Sequence, residues 1–174
     1  LLNVVSGHGS EAGAALTGHP EVKSITCTGS DATGVRVGKS AIENVSEVVL
    51  ELGGKSPNVV FPDADWEAAL EGVITGIFSN AGQVCSAGSR LLVHEDIHDE
   101  FIADLADRAT ALDVGPGIDD ADMGPLTSDD HLEEVLEYID IGRQEAGDPV
   151  IGGGRLDRDG YFVEPTIFDS VTHD

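Results

Sequence analysis

Apolar positions along the chain follow two alternating rhythms. Short runs of Val, Ile and Leu are separated by longer stretches whose apolar residues recur at helical spacing, the order expected of an α/β fold with parallel strands. In the first fifty residues LLNVV leads through GHGS into EAGAALTGH, VKSITCT leads through GSDATG into VRVGKSAIEN, and VVLEL follows. This pattern predicts two strand–turn–helix units and a third strand, with ligands at the carboxyl ends of the strands. After GGKSP the pattern restarts with NVVF, and Asp65 is the expected N-cap of a helix over WEAALEGVITGIF that runs up to SNAGQVC. A strand at RLLV comes next, then a helix with Asp96 as N-cap and Ile97, Phe101, Ile102 and Leu105 on one face. The turn-rich PGIDDADMGPL precedes a helix over HLEEVLEYIDIGRQEAG, and VIGGG and GYFVEPTIF read as strands.

Composition adds one large constraint. A hydrophobic content of 40% over 174 residues suffices for a sizeable core, yet 33 acidic residues against 9 basic ones leave a formal net charge of −24. The acidic residues accompany intact apolar periodicity along the whole chain, which favours a salt-adapted surface over disorder. High ionic strength shortens the screening length to a few ångströms and removes most of the self-repulsion, so a halophilic source is expected. The same charge argues against nucleic acid or an anionic membrane as partner, since both need a basic footprint. Two cysteines, Cys27 and Cys85, give no disulfide framework and suit a reducing cytoplasm. No charged-then-apolar leader and no apolar run near ~18 residues is seen, so neither secretion nor membrane spanning is expected. A chain that opens on Leu1 and goes directly into LLNVVS reads as part of something longer.

Three motifs look like chemistry and have plainer explanations. Gly7-His8-Gly9-Ser10-Glu11-Ala12 satisfies a dinucleotide fingerprint, but the ribose-binding acid that should follow is ambiguous. GVRVGKS, residues 34–40, falls one residue short of a phosphate-binding loop because Thr33 stands where Gly is needed. HEDIH, residues 94–98, is formally a zinc-binding pattern, but a strand end at His94 and a helix start at Asp96 keep the two imidazoles off one helical face. Two solvated histidines are expected there, and no metal site.

The fourth pattern joins distant segments. Glu51 ends a strand expected to be buried, where a carboxylate is costly without a partner or a task. Gly53 and Gly54 permit close backbone approach, and NAGQVC presents the thiol of Cys85 among small residues, where few side chains could bury it. The helix start at GSDATG could hold a phosphate. A turn-capping carboxylate and a small packing cysteine remain the plain alternatives for the two residues taken singly.

In their order and separations, ITCTGSDATG, VVLELGGKSPNVVFPDAD, FSNAGQVCSAGSRLLV and GYFVEPTIF resemble the aldehyde dehydrogenase superfamily. The resemblance implies an aldehyde dehydrogenase-like three-layer αβα fold, present in part: residues 1–52 as the end of a Rossmann-like NAD(P)-binding domain and residues 53–174 as most of the catalytic domain. It implies Cys85 as nucleophile and Glu51 as the base that activates the hydrolytic water. Gly29, Ser30 and Gly34 match the turn that meets the cofactor pyrophosphate, Gly9 the adenosine-side loop, and Leu52 a backbone contact to the nicotinamide. Lys55 and Asn80 match common family positions without an assigned role. Cys27 stands where the family usually has Phe. The upstream Asn that helps hold the oxyanion, the E-x-F-G-P segment and the ribose-binding Lys segment have no counterpart in the chain.

The expected chemistry is aldehyde oxidation to a carboxylate with NAD or NADP through a cysteine thioester. An acylating enzyme that passes its thioester to coenzyme A is disfavoured by Glu51. Expected partners are a small aldehyde and, in a full-length parent, further copies of the chain; little turnover is expected of this segment alone. The rival reading is a non-catalytic truncated remnant that serves as an interaction module. The catalytic reading requires the Glu51 carboxylate and the Cys85 sulfur to face each other across a cleft.

Overall fold

A computed structural model describes residues 1–172, and the chain divides into two compact units, Leu1–Gly54 and Lys55–Asp174. In the first unit, strand β1 (Ser24–Thr28) and strand β2 (Glu47–Glu51) pair in parallel, with Ile25 opposite Val48 and Cys27 opposite Leu50. Helix α2 (Asp31–Glu43) makes the crossover, and its buried face of Val37 and Ala41 packs with Ile25 against Val22, Cys27 and Val48. Parallel neighbours need such a crossover, and a helix supplies it while covering one face of the sheet. The chain reaches β1 through helix α1 (Ala14–Thr17), which continues a π-helical turn over Gly9–Gly13.

Three expectations for this unit are corrected. LLNVV is not a strand: Leu1, Leu2, Val4 and Val5 are exposed and pair with no neighbour among the described residues. Propensity alone does not hold a strand whose backbone groups have no ladder. The helix expected over EAGAALTGH is regular for only four residues. The strand that ends in Glu51 is not buried either, since Val49, Leu50 and Glu51 are all exposed and only Val48 joins the core.

The second unit repeats the arrangement with β3 (Pro57–Val60) and β4 (Arg90–Val93), parallel and in register from Pro57 opposite Arg90 to Val60 opposite Val93. Helix α3 (Trp66–Phe78) crosses between them, and Asp65 caps it as expected by accepting from the Ala68 N–H at 3.1 Å. Helix α4 (His98–Thr110) follows β4 and seals the core: Phe101 and Leu105 pack with Val60, Leu70 and Val73, and Trp66 meets Phe101 edge-on at 5.3 Å. The Trp66 indole N–H donates to Asp104 at 2.8 Å, so its polar edge is satisfied. Helix α5 (Asp129–Ala146) starts at the Ser128 cap and buries Leu132 beside Leu126 and Val163.

Two further corrections concern this unit. The cap after β4 is His94 and not Asp96: the His94 ring accepts from the Asp96 N–H at 3.2 Å and opens a short 3₁₀ turn, Glu95–Ile97, ahead of α4. VIGGG and GYFVEPTIF form no continuous strands; they meet in the single antiparallel bridges Ile151–Ile167 and Arg155–Val163. The positive φ angles of Gly152, Gly153 and Gly160 break the extended run there. No described helix is long and apolar enough to cross a membrane.

Candidate active site

Within the first unit, five of the residues singled out from the sequence lie close together. Ser30 is the N-cap of α2, its hydroxyl accepting from the Thr33 N–H at 3.3 Å and donating to Thr33 Oγ1 at 3.1 Å. Gly29 follows β1 and donates its N–H to the carbonyl of Glu51 at 3.0 Å, which ties the turn before α2 to the end of β2. Gly34 lies buried in the first turns of α2, where a Cβ would stand 2.7 Å from Leu52 Cδ2. The absence of a side chain there lets Leu52 lie directly on the helix. Gly29, Ser30, Gly34, Glu51 and Leu52 therefore form one cluster at the carboxyl end of the β1–β2 pair, beside the open N-terminus of a 13-residue helix. Such an end is electropositive and offers unpaired N–H groups to an anion.

Gly9 lies apart from this cluster in sequence. It opens the π-helical turn, is exposed, and no atom would crowd a Cβ on it. GVRVGKS lies inside α2, so its backbone is helical and cannot curl around a phosphate. Cys27 is half-buried against the core of this unit, and neither cysteine is in a disulfide.

Cys85 belongs to the second unit and is exposed. It sits between two anchored points. On one side, α3 ends at Phe78 and the chain reverses through Asn80, Ala81 and Gly82, with φ angles of 52°, 54° and 74°. Gly accepts such angles freely and Asn tolerates them, but Ala81 pays about 1–2 kcal/mol for its Cβ. Gln83 closes this turn: its backbone N–H and its Nε2 both donate to the Asn80 carbonyl, at 3.1 and 2.9 Å, and Asn80 Nδ2 donates back to the Gln83 carbonyl at 3.2 Å. The Gln83 side chain also reaches the carbonyl of Pro125 at 3.2 Å and accepts from the Thr127 N–H at 2.9 Å. On the other side, the Gly88 N–H donates to the Gly76 carbonyl at 2.9 Å, and a Cβ on Gly88 would stand 2.2 Å from Asn58 Nδ2. The segment around Cys85 is thus a fixed turn and not the loose loop its small residues suggest. Sequence reasoning missed Gln83 and Asn58. The Gln two positions before the thiol was visible, but its distant partners at 125 and 127 were not.

The histidines of HEDIH have separate partners. His94 caps the 3₁₀ turn, while the His98 ring lies 2.9 Å from Asp99 on one nitrogen and 2.9 Å from Asp169 on the other. Hydrogen bonds to the Asp99 and then the Asp169 carboxylates raise its pKa above the usual 6.5. His98 is therefore a paired residue, not a solvated one. Among the described residues no group of three or more His, Cys, Asp or Glu is placed to hold a metal ion.

The sequence pattern of the aldehyde dehydrogenase family matches residues 1–174, the whole chain. The chain belongs to that family. A hydroxyisobutyraldehyde dehydrogenase from Mycolicibacterium austroafricanum is 52% identical over 178 residues, covering 100% of this chain and 35% of the relative. The NAD+ complex of an aldehyde dehydrogenase from Bacillus cereus superposes with a TM-score of 0.93 at 43% identity, over 97% of this chain and 34% of that one. Betaine aldehyde dehydrogenase from Staphylococcus aureus in complex with NAD+ gives a TM-score of 0.87 at 44% identity, over 92% and 33%. The α/β fold is thus that of aldehyde dehydrogenases, and the chain spans about 35% of the length of the curated relatives it matches.

Proposed function

We propose that the chain carries the nucleophile and the base of an NAD(P)-dependent aldehyde dehydrogenase, with Cys85 as nucleophile and Glu51 as base. The observation that carries this reading is Cys85 itself: an exposed thiol on a turn fixed at both ends, in a chain that belongs to the family along its whole length. In this reading the thiolate adds to the carbonyl carbon of a small aldehyde, and backbone N–H groups at the turn help to stabilise the resulting oxyanion. Bound NAD(P)+ supplies the hydride acceptor for the oxidation. A thioester on Cys85 results, and water deprotonated by Glu51 releases the carboxylate and restores the thiol. Glu51 belongs to the first unit and Cys85 to the second.

The turn at Gly29 and Ser30 fits a pyrophosphate, because it is exposed and opens onto the N-terminus of α2. Gly34 and Leu52 complete that side of the cofactor site in this reading, with Gly9 toward the adenosine; NAD and NADP both suit these residues. Asp31, in the first turn of α2, adds a negative charge beside such an anion, a repulsion that high salt would screen. In this view residues 1–52 belong to a cofactor domain and 53–174 to a catalytic domain, in a salt-adapted cytoplasmic protein whose full-length form assembles from several copies.

Thiol labelling tests the reading. Cys85 should react with iodoacetamide at least tenfold faster than Cys27, and a short aliphatic aldehyde should protect it. Equal rates would end the catalytic reading and favour an interaction module, which has its own support in the exposed Val49, Val59 and Phe61 on the strands and beside them. NAD+ reduction by the chain should be slow or undetectable, and any found should vanish in Cys85→Ser.

A further inference from the structure

We propose that Gln83 is a positioning residue for Cys85: its side-chain amide locks the left-handed turn that delivers the thiol and fastens that turn to residues 125–127. The proposal rests on the reading of Cys85 as the nucleophile. Its starting point is an unusual stretch of backbone. Asn80, Ala81 and Gly82 are successive residues with positive φ, and only the last can adopt that region without cost. A strained turn persists only where its surroundings over-determine it.

Gln83 supplies that over-determination in two directions. Toward the turn, its N–H and Nε2 converge on the Asn80 carbonyl while Asn80 Nδ2 returns a bond to the Gln83 carbonyl, which closes a ring around the left-handed residues. Toward the rest of the unit, Nε2 donates to the Pro125 carbonyl and Oε1 accepts from the Thr127 N–H. That second segment is itself anchored, because Leu126 is buried and its N–H donates to the Tyr161 carbonyl at 2.8 Å. The amide has one orientation: its nitrogen faces two carbonyls and its oxygen faces an N–H, so a flip would bring oxygen against oxygen at both carbonyls.

The chemistry selects glutamine. Glu has the same length but no donor for the two carbonyls, Asn is one methylene short, and Leu fills the space with neither donor nor acceptor. Val84 donates to the Gly82 carbonyl at 2.9 Å and Ala87 to the Val84 carbonyl at 3.0 Å, so the path from the locked turn to Cys85 has little slack. Cys85 is held between the Gln83 bridge and the packing of Gly88 on Asn58, and removing Gln83 releases one of the two ends.

The test compares the wild-type chain with Gln83→Leu and Gln83→Glu. In wild type, NMR should show the strong intraresidue HN–Hα cross-peaks of positive φ at Asn80 and Ala81, cross-peaks between the Gln83 side-chain amide and the Thr127 N–H, and slow exchange of that N–H. Both variants should lose the positive-φ signature and exchange the Thr127 amide at least tenfold faster. The ratio of Cys85 to Cys27 alkylation by iodoacetamide should fall at least threefold, with the Cys27 rate unchanged. A variant that keeps both the signature and the protection overturns the proposal, as does a lost turn with an unchanged alkylation ratio. Should neither variant fold, the wild-type spectra decide, and missing contacts between Gln83 and Thr127 refute it. Equal Cys85 and Cys27 rates in wild type would sink the nucleophile reading alone, leaving the measurements on the turn to judge Gln83.

Discussion

The two units are built on one plan and differ in charge and in the end of the sheet at which the candidate residues lie. Residues 1–54 hold six acidic and three basic residues, whereas residues 55–174 hold 27 and six. Both contain a two-stranded parallel sheet with a helical crossover. In the first unit the candidate residues gather at the carboxyl end of β1, where an α/β sheet is expected to bind ligands. In the second, Cys85 lies after α3 and before β4, hence at the amino end of its strand pair. A helix N-terminus suits an anion and needs only a short turn after a strand. A thiol on the return path has no such ready-made platform, and the chain builds one from a strained turn, a glutamine bridge and a glycine contact.

The largest effect expected from this difference is on salt dependence. In the salt-adapted reading, repulsion in the second unit is screened at high ionic strength, so lowering KCl should unfold it first. Trp66, the only Trp and packed on Phe101, reports on the second unit through its fluorescence, and alkylation of the half-buried Cys27 reports on the first. On dialysis from molar KCl, Trp66 emission should shift to the red together with loss of helical circular dichroism, before Cys27 becomes reactive. Full retention of the helical signal at low salt would refute the salt-adapted reading, and simultaneous loss would erase the distinction between the units.

A smaller effect separates the two glycine contacts. Gly88→Ala would press on the Asn58 amide from 2.2 Å, inside a packed unit, and should destabilise by about 3 kcal/mol in urea unfolding while slowing Cys85 alkylation. Gly34→Ala would meet the flexible side chain of Leu52, which can shift, and gains helix propensity in return, so the net change should stay within about 1 kcal/mol. The reverse ranking would mean that the contact of α2 with Leu52 is the more tightly built.

The smallest effect concerns His98. Its pKa is raised in the fold by Asp99 and Asp169, so the protonated ring favours the folded state. That contribution is complete below the unfolded value of 6.5 and is lost as pH rises through the raised folded value. Urea midpoints of wild type and His98→Gln should therefore converge above that range and separate below it, with wild type the more stable. A gap that stays constant with pH would show that the ring matters for packing alone.

Much of this was legible from short patterns. Asp65 before WEAALEGVITGIF announced a cap and a helix, and both are present. The strand RLLV was read to the residue, because an apolar run between a polar turn and an acidic helix start leaves little choice. LLNVV failed for the opposite reason: a strand needs a neighbour, and nothing in a short run with four apolar residues says whether one is near. His94 was missed as a cap because Asp96 is the commoner capping type and lies two residues away. Glu51 was expected on a buried strand, but a sheet of two strands with a helix over one face leaves the other face open.

The sequence by itself determined the family resemblance, the longer helices and the core strands, because periodicity and linked motifs are local signals that survive without coordinates. Only the tertiary structure decided what holds Cys85. The bonds from Gln83 to residues 125 and 127, and the fit of Gly88 on Asn58, join positions far apart along the chain. Spacing in sequence cannot encode such contacts, since they depend on where packing brings the segments together.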